Sequence, residues 1–450
     1  MRTRIRFSAA IVLLASASVP AAAEGPRGDS PASVAATRPE MKDLLERSKH
    51  SQPRLPLPPP TQEEIEAAKA RPGRGPMTGI INNGRMRRLY LPAEVIGGGF
   101  LREPDPAMTL NNTFKTMFFW IVSRANNCAY CQGHQEVKLS ADGVNEETIA
   151  ALDGDWSGFK PAEQAAFEFT RQLTFEPNRI ADADIAALRR HYTDLQILEI
   201  ITAVAGFNAM NRWTGALSIP QEDHRVYLTP TPDAFKAARS LVAPLPDEKP
   251  ASGPVCARPA NRGALESTEQ VAAALDACRK RTPRLPLASE QAARAVLPSD
   301  WSESEPLPEW VRLLANFPKG GKAWVAQTFY SQTKGKLSPK LKADIAYVSA
   351  RHDRAWYALG HAARRLRDLG LGDNEIRALD HPGDATPQPE RLVLALAEKL
   401  TVNPALIVDS DIANLRKHFS DHEVAEIVYH VTQAAFFDRL TEAAGLRLEQ

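Results

Sequence analysis

DADIAALRRHYTDLQILEIITAVAGFNAMNR, residues 182–212, and DSDIANLRKHFSDHEVAEIVYHVTQAAFFDR, residues 409–439, decide the fold. The two stretches lie 227 positions apart. Asp182, Asp184, Ile185, Leu188, Arg189 and His191 fall on Asp409, Asp411, Ile412, Leu415, Arg416 and His418. Asp194, Glu199, Ile200 and Arg212 fall on Asp421, Glu426, Ile427 and Arg439. Each stretch reads as a short helix followed by a long one. Asp182 or Asp184 can cap the short helix, which turns Ile185 and Leu188 to one face. Thr193 with Gln196, and Ser420 with Glu423, have the spacing of a capping box. Behind them run Ile197, Ile200, Ile201, Val204 and Phe207 in one copy, and Val424, Ile427, Val428 and Val431 in the other.

The same register extends outward without gaps for about ninety residues, the signature of an internal duplication. Tyr130, Gly133 and His134 map onto Tyr357, Gly360 and His361, and Ile149, Ala151, Leu152 and Asp153 onto Ile376, Ala378, Leu379 and Asp380. Leu173, Thr174 and Pro177 map onto Leu400, Thr401 and Pro404. A lead-in recurs with a small shift, Pro53–Leu57 against Pro283–Leu287. Phe114, Met117, Phe118 and Ile121 sit at helical spacing, and Pro161 suits the first turn of a helix carrying Ala165, Ala166, Phe169 and Leu173. Sustained period-two alternation is missing throughout, so the expected class is all-α with no sheet.

A chain of 450 residues that is 43% hydrophobic and 24% charged fits two globular domains. Arg2, Arg4 and Arg6, an apolar run near Ala9–Ala15 and Ala21-Ala22-Ala23 predict a cleaved signal peptide over 1–23, and hence a periplasmic or secreted protein. The apolar run is short for a membrane anchor. Cleavage removes three arginines and leaves a formal charge of 52 − 54 = −2, so nothing favours nucleic acid. No later segment offers about 18 uninterrupted apolar residues, so no membrane span is expected after cleavage. Residues 24–78 are proline-rich and predicted to lack a core of their own. A second proline-rich stretch, 229–282, reads as a linker, which leaves 79–228 and 283–450 as the two domains.

Four cysteines fall in two pairs. Cys256 and Cys278 lie in and just beyond the proline-rich part of the linker and suggest a loop-closing disulfide. Cys128 and Cys131, in Cys128-Ala129-Tyr130-Cys131-Gln132-Gly133-His134, are spaced to share one helix start. Such a pair can carry a reactive thiolate, pass through a sulfenic acid to a disulfide, or exchange disulfides with a partner. A static bridge is an alternative, and a zinc site of Cys128, Cys131 and His134 lacks an evident fourth ligand. No cofactor or metal is expected.

The run Cys128–Cys131 followed closely by histidine, with the helices predicted downstream, resembles the active-site region of AhpD-like alkylhydroperoxidases in the carboxymuconolactone decarboxylase family. The resemblance covers roughly residues 80–225 and again 300–450, where Ala355 and Ala358 replace the thiols. It implies that Cys131 attacks hydroperoxide, Cys128 resolves the product, and a glutamate and a histidine relay protons. The glutamate position, twelve residues before the first cysteine, is Thr116; the histidine position, four after the second, is Gln135. His134 stands one place early, about 60° around a helix from Cys131, still within reach of it, while Gln135 faces the pair. Glu136 and Glu199 are candidates to stand in for the missing carboxylate. His191 and His418, near helix ends, read as structural. The expected function is therefore an exported thiol-dependent peroxidase using an external thiol or disulfide reductant. Dithiol–disulfide exchange with a protein partner, or a non-enzymatic helical assembly with a static bridge, are the alternatives. The thiol-free copy is expected to pair with the first as an intramolecular pseudo-dimer, with homo-oligomers as a further association.

Overall fold

The computed structural model describes residues 29–35, 37–70, 80–96, 105–154, 156–222, 263–302 and 307–449. The expected leader over 1–23, most of the expected linker and Cys256 lie outside the described residues. Among the described residues the chain forms twenty α-helices and no strand, the all-α class expected from its periodicity.

The helices repeat at the same interval as the residues. Asn112–Ala125, Ala129–Ala141, Pro161–Phe175 and Asp194–Ala216 are matched by Pro339–Asp353, Trp356–Asp368, Gln388–Val402 and Asp421–Ala444. Their starts follow local chemistry. Thr193 and Ser420 accept from the amides of Gln196 and Glu423, and those side chains reach back in return. Pro161 and Pro339 occupy first turns, where an amide proton has no intrahelical acceptor to lose. Of the two aspartates offered for the Asp182–Arg189 helix, Asp184 serves, accepting from the Ala181 amide at 2.7 Å; its mate Asp411 does the same for Val408.

Asp194–Ala216 and Asp421–Ala444 form the centre of the molecule and pack on each other. Both bury residues on every side, which a helix does when neighbours surround it. Trp213 and Tyr429 meet edge to face, 6.3 Å between ring centroids. Around this pair the two units exchange reciprocal bonds. Arg212 donates to the Thr401 carbonyl at 3.1 Å and Arg439 to the Thr174 carbonyl at 2.8 Å. Arg54 and Arg284, mates in the recurring lead-in, each cross to the other unit: Arg54 pairs with Asp409 and Arg284 with Asp182, both at 2.7 Å. Residues related by 227 or 230 positions thus make the same bond in both directions, the geometry of a two-fold axis within one chain.

Both lead-ins begin with a helix that the composition conceals. Arg38–Ser48 lies inside the proline-rich 24–78 segment, yet Met41 and Leu45 are fully buried in the first unit's core. One helical turn separates them, and that single stripe suffices for docking. Thr268–Arg279, in the stretch read as linker, is the corresponding helix of the second unit. It buries Cys278, whose thiol faces the Leu446 carbonyl at 3.6 Å and is pushed up to about 11 by burial. Cys278 is a free thiol; its expected partner Cys256 is outside the described residues. No described helix is long and apolar enough to cross a membrane.

Candidate active site

The chain reverses between Asn112–Ala125 and Ala129–Ala141 through Asn127, which adopts φ 51°, a left-handed conformation that asparagine tolerates better than most residues. This turn leaves Cys128 at the N-cap of the second helix, where its sulfur accepts from the Cys131 amide at 3.4 Å. Cys131 follows inside the first turn. Both are free thiols, and their residues are only 3% and 2% exposed, so nothing larger than a small molecule reaches the sulfurs without opening the fold.

The hydroxyl of Thr214, on the central helix, lies 3.1 Å from the Cys128 sulfur and 3.0 Å from the Cys131 sulfur. Its single proton has three acceptors in reach, the Met210 carbonyl at 3.0 Å and the two sulfurs, and a thiolate at Cys128 draws it towards sulfur. The two cysteines differ in charge preference. Burial works against a thiolate at Cys128, but hydrogen bonds from Cys131, Thr214 and the helix amides outweigh it and lower the pKa below the ordinary thiol value. Burial and then the adjoining Cys128 push Cys131 well above that value. Thiolate character therefore collects on Cys128, at the positive end of the helix.

The other residues singled out by sequence bond to groups other than the two sulfurs. Gln135 is buried and donates to the Cys131 carbonyl at 3.1 Å. Thr116 turns its hydroxyl back on the Asn112 carbonyl at 2.8 Å. The Nδ1 of His134 lies 2.9 Å from the Tyr130 carbonyl and its Nε2 3.1 Å from Glu222 Oε2. Glu136 accepts from Trp120 at 3.0 Å and pairs with Arg38 and Lys42. Glu199 holds the amides of Thr109 and Leu110 at 2.9 and 3.0 Å and the Lys115 ammonium at 2.7 Å. Each offered carboxylate thus has a structural anchor of its own. The zinc alternative meets the same obstacle: both ring nitrogens of His134 face oxygens of Tyr130 and Glu222, and no described cluster of three or more His, Cys, Asp or Glu residues is placed to hold a metal.

Glu222 escaped the sequence reading although its signal was present, because 227 positions on stands Glu449. In the first unit Tyr130 donates to Glu222 at 2.8 Å, with the Asn82 amide at 2.9 Å. In the second, Tyr357 donates to Glu449 at 2.8 Å, His361 lies 2.9 Å from it, and the Glu309 amide at 2.6 Å. The second unit has no thiols here. Its Gly360-His361 pair seats the C-terminal tail, with Leu448 so close that a Cβ on Gly360 would meet it at 2.4 Å. Thr214 has a mate as well, Thr441, 227 positions on, but the match does not show what the hydroxyl touches. Its place is set by the crossing of two helices far apart in the chain.

No family model matches the chain, and no curated protein matches it. Among solved structures, the debrominase Bmp8 in its apo form is 19% identical over 42% of this chain and 93% of that one, with a TM-score of 0.30. A substituted form of Bmp8 in complex with 2,3,4-tribromopyrrole is 18% identical over 42% of this chain and 92% of that one, with the same TM-score of 0.30.

Proposed function

We propose that the first unit is an exported thiol peroxidase of the AhpD-like type, with the second unit, which lacks the cysteine pair, as its intramolecular partner. The observation that carries this reading is the buried Cys128–Cys131 pair around one threonine hydroxyl, with Cys128 at a helix N-cap. Burial of both sulfurs favours a small hydroperoxide as oxidant over a folded protein disulfide.

Cys128 releases its thiol proton to water, the thiolate attacks the distal peroxide oxygen, the O–O bond breaks, and the alkoxide or hydroxide takes up one proton from water and leaves as alcohol or water. This gives a sulfenic acid on Cys128. The Cys131 thiol then displaces hydroxide, which takes up the thiol proton as water, and the S–S bond forms. An external thiol reductant returns two electrons and two protons. The resemblance assigns the first attack to Cys131. The hydrogen bonds and helix end at Cys128 argue for the opposite order, with Cys131 kept as the protonated resolving thiol.

The test is sulfenic acid trapping with dimedone after one equivalent of hydrogen peroxide, in Cys131→Ser and Cys128→Ser proteins. An adduct on Cys128 in the first, and little in the second, is expected. An adduct only on Cys131 reverses the order. No adduct in either, with slow disulfide formation in the unsubstituted protein, overturns the peroxidase reading and leaves disulfide exchange or a static bridge.

A further inference from the structure

Between the two units lies a cavity of about 40 Å³, room for roughly three water molecules or one small organic ion. Gly206, Ala209 and Met210 of one central helix line it together with Phe436 of the other and Trp324. Arg87 reaches into it. Its guanidinium stands 5.8 Å from the Trp213 ring centroid and 5.5 Å from that of Tyr429, so the faces of the cation are covered by aromatic rings. Its Nη2 is buried and has no hydrogen-bond partner, and Arg87 forms no ion pair with a described carboxylate. Burial lowers its pKa, and the Tyr429 phenol, which works the other way, offsets only part of that.

Gly206 supplies an independent observation. It lies inside the Asp194–Ala216 helix, where glycine weakens a helix relative to alanine. Nothing stands within 4 Å of where its Cβ would be. Packing does not require a glycine there; what its lack of a side chain does is keep the cavity open.

We propose that this interdomain cavity is a binding site for a small organic carboxylate of acetate to propionate size. The carboxylate takes the free edge of Arg87 and the short apolar chain lies against Met210, Trp324 and Phe436. Charge selects the anion, since a guanidinium donates in the plane that a carboxylate accepts. Gln433 and Thr432 line the same space and offer further polar contacts. This site is separate from the thiol pair and stands or falls without it.

The test is a ligand-observed NMR titration of the full chain with propionate, and with propionamide as the uncharged counterpart. Saturable binding of propionate and none of propionamide is expected. Arg87→Met keeps an apolar stem against the rings and removes the charge; it should weaken binding by about tenfold or more. Gly206→Leu, for which the helix has open space, fills the cavity with Arg87 intact and should abolish binding. If Arg87→Met fails to fold, Gly206→Leu carries the test alone. Absence of saturable binding, equal binding of the amide, or propionate binding that survives Gly206→Leu overturns the proposal.

Discussion

Replacing Glu136 by glutamine should change how the protein responds to acid, by an amount the structure sets. Glu136 lies on the cysteine helix, and its carboxylate takes Arg38 and Lys42 from the N-terminal helix and the Trp120 indole at 3.0 Å. Burial alone would raise its pKa, but the two cations hold it at about 2, against an ordinary 4.5. At about 1.4 kcal/mol for each pH unit, that drop contributes about 3 kcal/mol to folding. A depressed carboxyl gives stability that is complete above the unfolded value near 4.5 and lost as pH falls towards 2. Between pH 5 and pH 3 the loss comes to about 2 kcal/mol. Asp153, whose buried carboxyl is raised to about 7 against the pull of Arg124, stays protonated in the fold across this window and cancels from the comparison. Urea unfolding at both pH values should therefore show the unsubstituted protein losing about 2 kcal/mol more than Glu136→Gln. At neutral pH the variant should be about 3 kcal/mol less stable, because Arg38 and Lys42 keep only Glu146, at 2.6 and 3.5 Å, of the two carboxylates they share. Parallel losses in the two proteins between pH 5 and pH 3 would refute the reasoning.

Other perturbations follow from the same contacts. Arg439→Met strips a fully buried Asp353 of its 3.0 Å partner and should cost about 3–5 kcal/mol in chemical denaturation, part of which Asp353→Asn in the same protein should restore. Gly321→Ala places a Cβ 2.2 Å from the Leu314 carbonyl and should destabilise by about 1–3 kcal/mol, whereas Gly206→Ala, with open space, should stabilise by about 0.5–1 kcal/mol; thermal melts compare the two. Thr214→Val removes the hydroxyl shared by both sulfurs, so the Cys128 pKa should rise and its alkylation at neutral pH should slow about tenfold, read by iodoacetamide kinetics.

Much of the architecture was legible because it is written twice. The register linking Asp182–Arg212 to Asp409–Arg439 announced paired helices, and capping residues such as Thr193 and Ser420 marked their starts. The docked Arg38–Ser48 and Thr268–Arg279 helices were hidden because a proline-rich window averages away a stripe as short as Met41 and Leu45. The site was legible only in its covalent part. Cys128 and Cys131 are adjacent in the chain, and local backbone rules put them at a helix start. Gln135 and His134, near in sequence, are the helpers the spacing offers, yet Gln135 donates to the Cys131 carbonyl and His134 faces the Tyr130 carbonyl and Glu222. The group that does touch both sulfurs, Thr214, arrives from a helix more than eighty residues away; its mate Thr441 marks the position as repeated, but no spacing rule announces the crossing. Glu222 lies between these cases: its mate Glu449 makes it visible once the repeat is followed to the end.

The central claim is that Cys128 and Cys131 form a peroxide-reducing centre. Its most direct test is the rate at which the reduced protein closes this disulfide after one equivalent of hydroperoxide, followed by mass spectrometry of the alkylated peptide beside Cys131→Ser. Closure far faster than oxidation of free cysteine, and absent from the control, is the predicted result. Closure no faster than free cysteine would contradict the account and leave the pair as an exchange centre or a bridge.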